Sequence, residues 1–121
     1  MSLKISISSD KPFSKRVILN GRLDTNTAPS LDSELETLLA TNIQLLIFDM
    51  ADLEYVSSAG LRVIFKATKN IKTNGGKCGI YKMQPQIKKV FDIVQALPDV
   101  PIFKNDNEMD EYLTAMQEKY S

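Results

Sequence analysis

Leu3, Ile5 and Ile7 alternate with Lys4, Ser6 and Ser8, the period-two pattern of a strand that buries one face. A loop carrying Asp10, Lys11 and Pro12 follows, and Val17-Ile18-Leu19 predicts a second strand ending at Asn20-Gly21. The short loop between them allows an antiparallel hairpin. From Thr27 the period lengthens. Ala28, Leu31, Leu35, Leu38 and Leu39 trace one face of a helix with Pro29 in its first turn, and Asp32 and Glu34 are read as favouring its N-terminal dipole. Leu45-Leu46-Ile47-Phe48 is too short for a helix and apolar on both faces, as in a strand buried between layers. Residues 51–57 read as a connection to a second helix that opens near Ser58.

That helix carries Leu61, Ile64, Phe65, Thr68 and Ile71 on one face, and Asn74-Gly75-Gly76 ends it. Cys78 and Ile80 mark a further strand. Ile87, Val90, Phe91, Val94 and Leu97 repeat the helical spacing, with Pro98 just beyond. An extended piece from Val100 to Phe103 leads to a last helix with Met109, Tyr112, Leu113, Met116 and Tyr120 inward. Strand-helix-strand units favour parallel pairing with right-handed crossovers. The expected fold class is α/β: a single domain over residues 1–121, with a mixed central sheet of four to five strands and about four α-helices.

Composition narrows the chemistry. The 121 residues fit one domain, and fifteen basic residues balance fifteen acidic ones, so no global attraction to nucleic acid or anionic membrane is indicated. No apolar run approaches the roughly 20 residues of a membrane span, and residues 1–10 hold no signal-peptide core. A single cysteine, Cys78, forms no internal disulfide, which fits a cytoplasmic location, and it reads as a small buried apolar residue. The chain has no histidine. Ser-His and Cys-His nucleophile pairs, histidine-ligated zinc and the HExxH site are therefore excluded. Gly75-Gly76-Lys77 is followed by Cys78 and lacks the upstream glycine of a phosphate-binding loop. Asp49 and Asp52, at the exit of the buried strand, read as turn residues rather than metal ligands.

One stretch concentrates functional features: Leu53-Glu54-Tyr55-Val56-Ser57-Ser58-Ala59-Gly60-Leu61-Arg62. It places two hydroxyls at a helix N-terminus, where backbone N–H groups are unpaired. Gly60 is read as leaving room for another molecule to approach closely. The plainer reading is that Ser57 or Ser58 caps the helix. Charge patterning adds to the picture. Between Ser58 and Lys89 there are eight basic residues and no acidic ones, whereas Arg22 to Ser57 holds seven acidic residues against Arg22 alone. Arg62, Lys66, Lys69 and Lys72 share the helix face opposite the apolar stripe, either as a solvated surface or as a basic docking face beside Ser58.

The Ser57-Ser58-Ala59-Gly60-Leu61 segment resembles the signature of the STAS family, whose best-known members are bacterial anti-sigma factor antagonists. Gly21-Arg22-Leu23-Asp24, with Thr27-Ala28 following, is similar to the element those proteins carry before their first helix. The order of elements agrees from about residue 3 to residue 118. By position, the resemblance places the family's phosphorylatable serine at Ser58. The residue before it is often aspartate in the family and is Ser57 here. Asp24 corresponds to the acidic residue near the phosphorylation loop, and Asn26, Ser57, Ala59, Gly60, Arg62 and Lys66 fall beside the site and its partner interface.

The resemblance implies a partner switch, not catalysis. The unphosphorylated protein binds an anti-sigma factor that is also a serine kinase and so frees a sigma factor for transcription. Phosphorylation at Ser58 breaks the complex, and a serine phosphatase restores it. No cofactor, metal, nucleic acid or membrane insertion is expected, and the chain is read as a monomer or weak homodimer. Ser57 in place of aspartate keeps an alternative open: a STAS interaction subunit of another complex, such as a lipid-transport ATPase or a sensory signalling assembly, working without phosphorylation. A small-molecule binder, or a hydrolase using Ser57 or Ser58, is a further class. The missing histidine argues against the hydrolase.

Overall fold

The computed structural model describes residues 2–94 and 100–120. Its elements run β1 (Leu3–Ser8), β2 (Ser14–Leu23), α1 (Ala28–Leu39), β3 (Leu45–Val56), α2 (Ser58–Thr73), β4 (Lys77–Tyr81), α3 (Pro85–Val94), β5 (Ile102–Phe103) and α4 (Asp106–Tyr120). They form one five-stranded sheet in the order β1-β2-β3-β4-β5. The β1–β2 pair is antiparallel, and β2–β3, β3–β4 and β4–β5 are parallel. The mixed sheet and four helices match the expected class.

Strand alternation sorts the core into two layers. Val17, Leu19, Leu46, Phe48, Met50 and Ile80 meet α1, α2 and α3 on one face. On the other, Leu45, Ile47, Tyr81 and Phe103 meet Met109, Leu113 and Met116 of α4. The inward faces expected for α1, α2 and α4 are buried as read, with Leu39, Phe65 and Tyr112 only partly so. Phe65 meets Phe91 of α3 edge-on at 6.2 Å between ring centroids. The side chains of Val94 and Tyr120, together with Leu97 and Pro98, lie outside the described residues.

Two expectations are corrected. Residues 51–56 are not a connection: β3 continues to Val56, and β2 runs on to Leu23 beside it. The ladder between them shifts register twice, so that Asn20 faces Asp52 and Arg22 faces Tyr55. The extra residues lie in β3, and such bulges bend a strand and break its period. Leu53 and Val56, three apart, are both buried, a spacing that does not read as a strand. Asp49 and Asp52 therefore stand within β3 and not in a turn.

The second correction concerns α1. No acidic residue occupies its first turn, so Asp32 and Glu34 lie too far along to act on the N-terminal dipole. Asp32 instead pairs across to α2 through Lys66 Nζ at 3.1 Å, and Glu36 joins at 3.4 Å.

Candidate functional site at the start of α2

The parallel strands β2 and β3 end side by side, and a helix begins after each. The joint is closed by the Ser57 N–H, which donates to the Leu23 carbonyl at 2.8 Å. Ser57 has extended backbone angles, and its Oγ accepts the Gly60 N–H at 3.2 Å, so this serine is the N-cap of α2. Ser58 is the first helical residue. It is exposed, and its hydroxyl makes no hydrogen bond among the described residues. The two adjacent hydroxyls are thus unequal: one is spent on the helix, the other is free at its positive end.

Gly60 is buried, and its missing side chain serves the fold, contrary to the open approach expected there. A Cβ at this position would lie 2.5 Å from Leu23 Cγ and 3.0 Å from the Leu23 carbonyl oxygen. The first turn of α2 sits on the end of β2, which fixes where Ser58 emerges.

The facing turn is organised by Asp24. Its carboxylate accepts the N–H groups of Asn26 and Thr27, each at 3.0 Å. Thr27 Oγ1 accepts the Asp24 N–H in return, at 2.9 Å, and donates to the Arg22 carbonyl at 2.8 Å. The Thr27 backbone donor, first among these contacts, holds the Asp24 carboxyl below the usual carboxylate range. Asp24 is therefore a turn-builder that sets the start of α1, and Asn26 lies exposed on that turn.

A groove of about 350 Å³ runs between the two helix starts, lined by Thr25, Pro29, Asp32, Ala59, Arg62 and Lys66, among others. The fold thus brings together Ala59, Arg62 and Lys66 from the expected site. Arg62 makes no ion pair among the described residues, but Lys66 is held by Asp32 and Glu36, and those contacts raise its pKa. The basic stripe on α2 is accordingly uneven, with part of its charge balanced by α1.

Sequence reasoning passed over Tyr55 and Arg22. Tyr55 is 40% exposed, and the Arg22 guanidinium lies over its ring at 4.2 Å to the centroid. The register shift that sets Arg22 against Tyr55 is not visible as a pattern of residues. Cys78 is buried as expected, and burial pushes its thiol up to about 11. No described helix is long and apolar enough to cross a membrane.

A family model described as the STAS domain matches residues 14–109, from the start of β2 into α4. The chain belongs to the STAS domain family. It is 29% identical over 84 residues to BtrV of Bordetella bronchiseptica, a proposed anti-sigma factor antagonist, covering 69% of this chain and 72% of that one. The structure of an anti-sigma factor antagonist from Mycobacterium paratuberculosis superposes with a TM-score of 0.80 at 21% identity, covering 96% of this chain and 95% of the other. The antagonist SpoIIAA is also similar in fold. Its unphosphorylated form has a TM-score of 0.74 at 13% identity and covers 93% of this chain and 98% of its own. The Bacillus phosphorylated form has a TM-score of 0.72 at 14% identity, with 90% and 99% covered. This STAS domain therefore shares its architecture with a protein known in both states.

Proposed function

We propose that this STAS domain is an anti-sigma factor antagonist whose binding is switched by phosphorylation of Ser58. The observation that carries this reading is the division of labour at the start of α2. Ser57 caps the helix, and that leaves the exposed Ser58 hydroxyl free to be modified without loss of a structural bond. A phosphoserine adds roughly −1.5 to −2 charges at neutral pH. At a helix N-terminus that charge is favoured by the backbone dipole, so the fold is retained in both states. At an interface shaped around a neutral hydroxyl, the same charge demands desolvation and repels acidic groups. The switch is then local and electrostatic. The expected partners are an anti-sigma factor with serine kinase activity and a phosphatase that acts on the modified chain. In this reading the serine is a substrate of the kinase and not a nucleophile of this protein.

Intact mass of the chain purified from its native host, followed by peptide mapping, tests the reading. A gain of about 80 Da on Ser58, the mass of one phosphoryl group, is the expected result. The same gain on Ser57 would move the switch to the capping residue. Absence of phosphate under several growth conditions, with a transporter ATPase rather than a kinase co-purifying, would replace the switch with a constitutive interaction subunit.

A further inference from the structure

We propose that the outer edge of β1 pairs with the same edge of a second copy of this chain, antiparallel, with Ile5 of one copy opposite Ile5 of the other. This surface is independent of the partner bound at Ser58.

The hydrogen-bond parity of β2 decides which groups that edge offers. At its two ends β2 turns odd-numbered residues toward β3: the Phe13 carbonyl accepts from Gln44 and Leu45, and the Leu23 carbonyl accepts from Ser57. Even-numbered residues therefore turn toward β1, and the Arg22 N–H donates to the Ser2 carbonyl. The β1–β2 register holds Leu3 against Gly21 and Ser8 against Arg16 without a shift. In an antiparallel ladder only alternate residues exchange main-chain bonds with a given neighbour. The N–H and C=O groups of Lys4, Ser6 and Ser8 are thus used by β2, and those of Leu3, Ile5 and Ile7 point outward from the sheet.

The same three residues carry the apolar side chains of the strand. Leu3 and Ile5 are only partly buried, and Ile7 is 40% exposed. The edge is lightly protected: β1 contains no proline and no bulge against β2, and its single charge, Lys4, alternates with the apolar row and so lies on the other face of the sheet. The opposite edge, β5, has only two residues.

Self-pairing about Ile5 satisfies the outward groups and the side chains together. Ile5 meets Ile5, and Leu3 meets Ile7 twice, which makes about six main-chain bonds. The apolar row of one copy then continues into that of the other. Lys4 falls opposite Ser6, so no like charges meet. Centring the ladder on Lys4 or Ser6 leaves only two outward-facing pairs within β1, about four bonds, and the Lys4 register also sets Lys4 against Lys4. Pairing about Leu3 or Ile7 carries half of the strand off the end of its partner. A ladder this short buries less than the roughly 1,600 Å² of a standard interface, so dissociation is expected on the order of 10 μM to 1 mM.

Sedimentation of the full chain from about 10 μM to about 1 mM, the range set by that affinity, should show its mass rise from 13.6 kDa toward twice that value. Ile5→Pro removes an N–H that β2 does not use. It should weaken the dimer at least about tenfold while circular dichroism stays native. Should that variant fail to fold, Lys4→Cys combined with Ser6→Cys decides the matter. These positions face each other across the new ladder, and mild oxidation should yield a covalent dimer, with the buried Cys78 taking no part. A wild-type chain that stays monomeric throughout overturns the proposal. So does a dimer that Ile5→Pro leaves unchanged, or a double-cysteine chain that does not cross-link.

Discussion

Two polar regions of this domain solve the same problem in different ways. At the helix starts, the side chains of Asp24, Thr27 and Ser57 satisfy themselves within their own turns, with partners two to five residues away. On the α4 side of the sheet lies a second network, and its bonds span the chain. Arg16 reaches Asp49, 33 positions on, at 3.2 Å and Met109, 93 positions on, at 3.1 Å. Its guanidinium also holds Asp10 at 2.9 Å and 3.1 Å and stacks over Tyr81 at 5.0 Å. The Tyr81 hydroxyl donates to Asp106 in the first turn of α4. The local region leaves the Ser58 hydroxyl without a hydrogen bond among the described residues. The long-range network commits its charges to fastening α4 onto the sheet. A region built from local bonds can release one group to a partner without loosening the fold, and a region of shared long-range bonds cannot.

That contrast can be broken most forcefully at Arg16. Arg16→Met strands the Asp49 carboxylate, whose residue is only 8% exposed, and should cost about 3 kcal/mol in urea denaturation. A cost below about 1 kcal/mol, the level of a surface pair, would show that the network contributes little. Tyr81→Phe comes next, at about 1–2 kcal/mol, because it removes one hydrogen bond to a carboxylate. This site also carries a pH signature. The bond to Asp106, with burial, pushes the Tyr81 hydroxyl from 10.0 up to about 12, so the folded state holds that proton more tightly than the unfolded chain. The stability it contributes is complete below pH 10 and is lost as pH rises toward 12. Tyrosinate absorbance should show a late-titrating phenol from Tyr81, and the Phe variant should lack it.

The local region should respond less, and unequally. Ser57→Ala loses the α2 cap and should cost about 1 kcal/mol, whereas Ser58→Ala should stay within about 0.5 kcal/mol of the parent. Equal costs at the two serines would remove the structural distinction between cap and free hydroxyl. Asp24 gives the smallest effect, read from the acid limb of the stability curve. Its lowered pKa means that its contribution is present above the ordinary value of 3.8 and fades as pH falls through the folded value. Asp24→Asn should flatten that part of an acid unfolding curve, and an unchanged curve would show that the Asp24–Thr27 turn is not what acid disrupts.

Much of this architecture was legible from residue patterns because it depends on neighbours three or four positions apart. The faces of α1 and α2, the glycine stop at Gly75 with its φ of +85°, and the capping serine at α2 are of this kind. The motif around Ser58 located the start of α2, where a cap and a free hydroxyl stand side by side. What was read wrongly has a common cause. The far half of β3 looked like a connection because two register shifts destroy its alternation, and Asp32 looked like a dipole partner because its true partner, Lys66, lies 34 positions away. Gly60 looked like an opening toward another molecule, yet the Leu23 that occupies its space arrives from a different strand.

By itself the sequence determined the α/β class, the helix faces and the place where two adjacent serines open α2, since periodicity and capping act over a single turn. Only the tertiary structure decided which serine is free, which lysine of the α2 stripe is already paired, and that Arg16, Asp49, Tyr81 and Asp106 form one network. Those outcomes depend on strand register and on which helix covers which face. Both are fixed when separate elements bury apolar surface against one another, and no local pattern of residues records them.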